Sequence, residues 1–97
     1  MAMHNPPHPG EFILAVYLDP NEVSARDLAA KLCVAPSTVS RILNGTSAVT
    51  PEMALRLSKC LGRSPESWLS MQQAHDLWRA RKRVDLRSVK VLKLAAA

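Results

Sequence analysis

Residues 23–45, Val23-Ser24-Ala25-Arg26-Asp27-Leu28-Ala29-Ala30-Lys31-Leu32-Cys33-Val34-Ala35-Pro36-Ser37-Thr38-Val39-Ser40-Arg41-Ile42-Leu43-Asn44-Gly45, read as a capped helix, a short turn and a second short helix. Ser24 stands at an N-cap, and acidic Asp27 lies at the third helical position, where a capping box carries its side chain. Val23, just before the cap, can staple to Leu28 at the fourth position. Leu28, Ala29 and Leu32 make an inward stripe at helical spacing. The helix ends around Cys33-Val34-Ala35. Pro36 suits the first position of the next helix, and Asn44-Gly45 stops it. Leu28, Ala29, Leu32, Val34, Val39 and Ile42 can lock the two helices together, with Ala29 small where the second must approach closely. This is a helix-turn-helix pattern.

The second helix then presents Ser37, Thr38, Ser40, Arg41 and Asn44 outward. Short hydrogen-bonding residues are only middling helix formers, and a merely solvated face more often carries Glu, Lys and Gln. The set does suit the edges of bases in a major groove. Arg pairs with guanine O6 and N7, Ser and Thr with several edges, and Asn with adenine or a phosphate.

Outward from this unit, prolines and glycines mark further short helices. Pro9-Gly10-Glu11 opens the first, with Ile13/Tyr17 and Leu14/Leu18 paired at i,i+4, and Asp19-Pro20-Asn21 stops it. Thr50-Pro51-Glu52 and Ser64-Pro65-Glu66 share one start pattern: a capping hydroxyl, a first-position proline and a carboxylate that complements the helix dipole. The fourth helix spans about 51–61 and is apolar on more than one side (Met53, Ala54, Leu55, Leu57, Cys60, Leu61), which predicts a central position; Gly62 ends it. The fifth carries Trp68, Leu69, Met71, Leu77 and Trp78. The fold class is all-α with five helices: a leader at 1–8, a domain at 9–80 and a basic C-terminal tail at 81–97.

The chain has 97 residues and a formal charge of +5, with 24 Leu, Ile, Val and Phe, enough for one small domain with a modest core. The charge is unevenly placed. Residues 1–78 sum to −1 and residues 79–97 to +6; within the body, residues 1–30 sum to −3 and residues 31–78 to +2. The basic pI thus comes from the tail. Its alternation (Val84/Leu86, Val89/Val91) leaves open a short strand pairing across a dimer, a basic arm on DNA, or a frayed end, with loss of order over residues 95–97. Arg79–Arg83 read as the solvated, dipole-favoured end of the fifth helix. Trp68 and Trp78 read as packing residues, one in the core and one in a core or dimer contact. Trp78, Val84 and Leu86 are the candidate dimer residues.

No apolar run approaches the ~20 residues of a membrane helix, and the N-terminus lacks the layout of a secretory signal. Cys33 and Cys60 lie in apolar contexts, which predicts buried reduced thiols and a cytoplasmic setting. His4, His8 and His75 have no zinc-ligand spacing, so no metal and no cofactor is expected. No phosphate-binding glycine loop, nucleophile elbow or metalloprotease motif occurs, so neither an enzyme nor a small-molecule substrate is indicated.

The chain resembles the HigA-type antitoxins of bacterial toxin–antitoxin pairs, within the Cro/C1-type (XRE, lambda repressor-like) helix-turn-helix superfamily. The resemblance runs through residues 5–80 in unbroken order. It rests on His8-Pro9-Gly10-Glu11-Phe12, Ser37-Thr38-Val39-Ser40-Arg41-Ile42-Leu43-Asn44-Gly45, Thr50-Pro51-Glu52-Met53-Ala54-Leu55-Arg56-Leu57, Ser64-Pro65-Glu66-Ser67-Trp68-Leu69 and Gln72-Gln73-Ala74-His75-Asp76-Leu77-Trp78. It implies a homodimeric repressor that binds a palindrome in its own promoter and neutralises an mRNA-cleaving ribonuclease toxin of the RelE/HigB type. The protein would then sit in the bacterial cytoplasm, on the nucleoid when operator-bound. Base contacts fall by resemblance on Ser37, Thr38, Ser40 and Arg41, and phosphate contacts on Ser24, Arg26 and the Asn44–Ser47 loop. The acidic Glu11, Asp19, Glu22 and Asp27 are candidate contacts to a basic toxin. Two departures stand out. Cys33 replaces the family's turn glycine, and Ala35 replaces a capping hydroxyl, a loss of about 1 kcal/mol. Ala35 reads either as drift absorbed by packing or as a start whose free N–H groups meet a phosphate. The competing functions are a stand-alone phage- or plasmid-type repressor without a toxin, and a protein–protein module on a helix-turn-helix scaffold.

Overall fold

A computed structural model describes residues 5–95, and among these it is all-helical. His4, Ala96 and Ala97, on which expectations about metal ligation and order fell, lie outside the described residues. The first helix, α1 (residues 9–21), has three parts: α-helical Pro9–Ile13, π-helical Leu14–Leu18 and a last turn Asp19–Asn21. It is followed by α2 (Ala25–Leu32), α3 (Pro36–Leu43), α4 (Pro51–Leu61) and α5 (Pro65–Arg83).

Within α1 the chain does not stop before Pro20 but passes through it to Asn21. A proline ring crowds the carbonyl four residues back and offers no N–H. The backbone opens just ahead of it, where the Asp19 N–H bonds to the Leu14 carbonyl five residues back, the register of a π turn.

The starts of α2, α4 and α5 form as their sequences predict. Ser24, Thr50 and Ser64 accept from the N–H groups of Asp27, Met53 and Ser67 at 3.0, 3.2 and 3.0 Å. Leu28, Ala29 and Leu32 of α2 meet Val39 and Ile42 of α3, and Ile13, Leu18, Val49, Met53, Ala54, Leu57 and Trp68 complete one core. Each large apolar side chain so buried contributes about 1.5–3 kcal/mol. Trp68 is fully buried and its indole N–H donates to the Gly62 carbonyl at 3.0 Å, so its polar end costs nothing to bury. Buried Gln72 is also satisfied: its amide oxygen accepts from the Val49 N–H at 2.8 Å, and its amide nitrogen donates to Asp76 at 3.0 Å. That pair of bonds pins the loop before α4 to the middle of α5.

Three expectations change. α4 is not apolar-covered on several sides: Met53, Ala54 and Leu57 are buried, but Leu55 is 62% exposed and Cys60 is exposed too, because α2 and α5 cover only one side of the helix. Cys33 and Cys60 are free and exposed rather than buried; Cys33 occupies a turn and Cys60 the uncovered side of α4. The fifth helix runs to Arg83, as the reading of Arg79–Arg83 as its end expects, its last turn carrying Arg81, Lys82 and Arg83 at the negative end of the dipole. Lys82 also sits 4.3 Å from the centroid of the half-buried Trp78 ring. Finally, no strand forms among the described residues of the tail. A turn in which the Val89 N–H bonds to the Leu86 carbonyl interrupts the alternation, and Val84, Leu86, Val89, Val91, Leu92 and Leu94 are all exposed.

Candidate nucleic-acid interface

The unit of α2 and α3 is held by backbone geometry as much as by its core. At the end of α2, Cys33 adopts a left-handed conformation (φ 59°, ψ 46°). Its N–H bonds to Ala30 and the Val34 N–H to Ala29, closing the helix in a Schellman motif. The cysteine thus stands at positive φ, where glycine is the unstrained choice. Arg56 of α4 reaches back and donates to the Leu32 carbonyl at 2.8 Å, while its other nitrogen pairs with Glu52 at 3.0 Å.

The end of α3 repeats the motif. The Thr46 N–H bonds to the Arg41 carbonyl, and the Gly45 N–H to Ile42, with Gly45 at φ 82°. The start of α3 differs from the other four: Ala35 is extended and makes no side-chain cap. Pro36 reduces the cost, since it has no N–H to leave unpaired.

This frame aims the predicted contact residues outward together. Ser37, Ser40 and Arg41 are exposed and Thr38 is half-buried on the outer side of α3, opposite buried Val39 and Ile42. Among the described residues their side chains make no hydrogen bond or ion pair. Asn44 is exposed, but its amide oxygen already accepts from the Thr46 hydroxyl at 2.9 Å. What remains is an NH2 donor, which suits a phosphate oxygen and not the bidentate pairing that adenine requires. The Ser47 N–H is bound to the Arg41 carbonyl at 3.0 Å, leaving its hydroxyl for a partner. Ser24 and Arg26 are exposed at the start of α2, the Ser24 oxygen already engaged as a cap.

The four candidate toxin-facing carboxylates are all exposed but do not form one cluster. Asp19 and Glu22 meet at the end of α1, where the Glu22 N–H bonds to Asp19. Glu11 is in the first turn of α1, about 12 Å away along the helix at its usual rise, and Asp27 is on α2. Of the dimer candidates, Trp78 packs partly on α5, while Val84 and Leu86 stand free of the core.

Sequence reasoning missed two residues that position this surface. His8 caps α1, its Nδ1 accepting from the Gly10 N–H at 2.9 Å. Gly10 allows α1 to lie directly on the last turn of α3, since a Cβ there would run into the Ile42 carbonyl and come within 2.8 Å of Leu43 Cα. The signal for His8 was present: it precedes a first-position proline just as Thr50 and Ser64 do.

A helix-turn-helix family model matches residues 14–68. The HTH-type transcriptional regulator YddM of Escherichia coli (strain K12) is 48% identical over 86 residues, covering 89% of this chain and 90% of that protein. The solved antitoxin GraA superposes with a TM-score of 0.87 at 40% identity, over 93% of this chain and 100% of GraA. The antitoxin HigA of Pseudomonas aeruginosa, solved with the higBA promoter, gives a TM-score of 0.76 at 26% identity, over 90% and 99% of the two chains. With the capped helix-turn-helix, its core and these relatives in agreement, the chain belongs to the helix-turn-helix family of Cro/C1 (XRE) type, in the company of the HigA and GraA antitoxins.

Proposed function

We propose that this chain is the antitoxin of a type II toxin–antitoxin pair, a DNA-binding homodimer that represses its own operon and neutralises an mRNA-cleaving ribonuclease. The observation that carries the reading is the outer face of α3, where Ser37, Ser40 and Arg41 are exposed, with no side-chain hydrogen bond among the described residues, beside a tightly packed inner face. A relative solved with promoter DNA supports the same use of the fold. Ser37, Thr38, Ser40 and Arg41 read base edges; Ser24, Arg26, Asn44 and Ser47 hold phosphates. Two such helices reach successive half-sites, roughly 34–36 Å apart, when the protein pairs two-fold. Trp78, Val84 and Leu86 supply apolar surface for that pairing. The toxin, a basic protein, docks on the acidic α1 side through Glu11, Asp19, Glu22 and Asp27. No chemistry is assigned: the protein binds, in the cytoplasm and on the nucleoid.

Two measurements test this. In gel shifts with the DNA upstream of its own gene, Arg41→Ala weakens specific binding by about 1–3 kcal/mol, roughly five- to 150-fold. Co-expression with the adjacent open reading frame rescues growth and yields a co-purifying complex. A shift without rescue points to a stand-alone repressor, and no shift to an interaction module. Charge reversal at the four carboxylates that leaves neutralisation intact removes them from the toxin surface.

A further inference from the structure

We propose that His8 is a positioning residue for operator binding, its neutral ring tying the first turn of α1 to the loop that leaves the recognition helix. The inference rests on the reading of α3 and the Asn44–Ser47 loop as an operator surface. His8 is buried, and its ring is held on two sides. On one side Nδ1 accepts from the Gly10 N–H at 2.9 Å, which only an unprotonated nitrogen can do. Gly10 is itself the residue whose backbone lies against the Ile42 carbonyl of α3. On the other side the ring lines one cleft with Leu43, Asn44 and Gly45, the last turn of α3 and the loop that follows it. One imidazole therefore stands between the start of α1, which it caps, and the end of α3 with the loop assigned to phosphate contacts.

The surroundings favour the neutral form. Burial is the main cause of a lowered pKa, followed by His75, whose ring stands edge-on at 5.2 Å; Arg79 adds to the effect, while the Ser47 backbone and Asp76 oppose it. His75, Asp76 and Arg79 come from α5, and the His75 Nδ1–H donates to the Pro6 carbonyl at 2.8 Å, joining α5 to the segment just before His8. From α1, Glu11 lines the same cleft. A proton on Nδ1 removes the cap acceptor, places a cation beside His75 and Arg79, and loosens the contact that holds α3 and its loop in register. A histidine that merely sat near DNA would behave in the opposite way, since phosphates raise its pKa and acid then tightens binding. The sign of the effect separates the two.

The test is fluorescence anisotropy with a labelled duplex from upstream of the gene, at fixed ionic strength, for wild type and His8→Asn. Asparagine keeps an N-cap acceptor and does not titrate. Between about pH 7.5 and about pH 5.5, wild type loses about three- to tenfold in affinity relative to His8→Asn, as expected for one linked proton. Identical pH profiles for the two proteins overturn the inference. The absence of any specific wild-type complex at about pH 7.5 instead overturns the operator reading, and this inference with it. Independent of the variant's folding, NMR titration of the wild-type His8 ring gives a lower pKa in the complex than in the free protein. An unchanged or raised pKa on binding overturns the proposal.

Discussion

At α2 the chain closes both ends with its own groups. Ser24 caps the start, while the Schellman turn at Cys33 and the guanidinium of Arg56 take the last carbonyls. At α3 the start is left without a side-chain cap, and the outer side chains Ser37, Ser40 and Arg41 have no intrachain hydrogen bonds among the described residues. The helix that braces its neighbour closes both of its own backbone ends. The helix that faces outward keeps its polar groups free, and its position is secured from behind by Val39, Ile42 and the backbone contact at Gly10.

Removing that support from behind should have the largest effect. Gly10→Ala forces α1 away from the last turn of α3 and is expected to cost about 3 kcal/mol of unfolding free energy in denaturant titration. A change near zero would mean that α3 does not depend on α1 for its position. Opening the closed end of α2 comes next. Arg56→Ala frees the Leu32 carbonyl, and because the guanidinium is partly exposed the expected loss is about 1–1.5 kcal/mol, with little of it from the Glu52 pair. Closing the open start of α3 tests the contrast directly. Ala35→Ser is expected to gain about 1 kcal/mol in thermal stability with operator affinity unchanged; a clear loss of affinity would show instead that a phosphate uses those N–H groups. The smallest effect belongs to the turn between the helices. Cys33→Gly relieves a left-handed side chain but adds freedom to the unfolded chain, for a net gain of about 0.5 kcal/mol in the same melts.

What the sequence made legible was local. The starts at Ser24, Thr50 and Ser64, the stops at Gly45 and Gly62, and the inner stripe of the helix-turn-helix are set by residues within a turn of one another. The outward set on α3 was legible for the same reason, being the complement of Val39 and Ile42 on one short helix. The misses are long-range or depend on what covers a face. That Arg56 serves the end of α2, that Gln72 holds Val49 and that Gly10 abuts Ile42 requires knowing which helices meet. Leu55 and Cys60 have the pattern of a buried face, but among the described residues no element arrives to bury them. Alternation in the tail likewise left a strand open, and the turn around Arg87 breaks it, with no second strand among the described residues.

The two tryptophans, placed so differently, equip the chain with two built-in optical reporters. Trp68 lies fully inside the core with its indole N–H bonded to Gly62. It emits from a dry environment, out of reach of a dissolved quencher until the domain unfolds. Trp78 is half-buried under the Lys82 ammonium on the last turns of α5, so its emission lies further to the red and answers to whatever approaches that end of the helix. Selective quenching therefore separates opening of the core from events at the C-terminal helix, in the same cuvette and with no label attached.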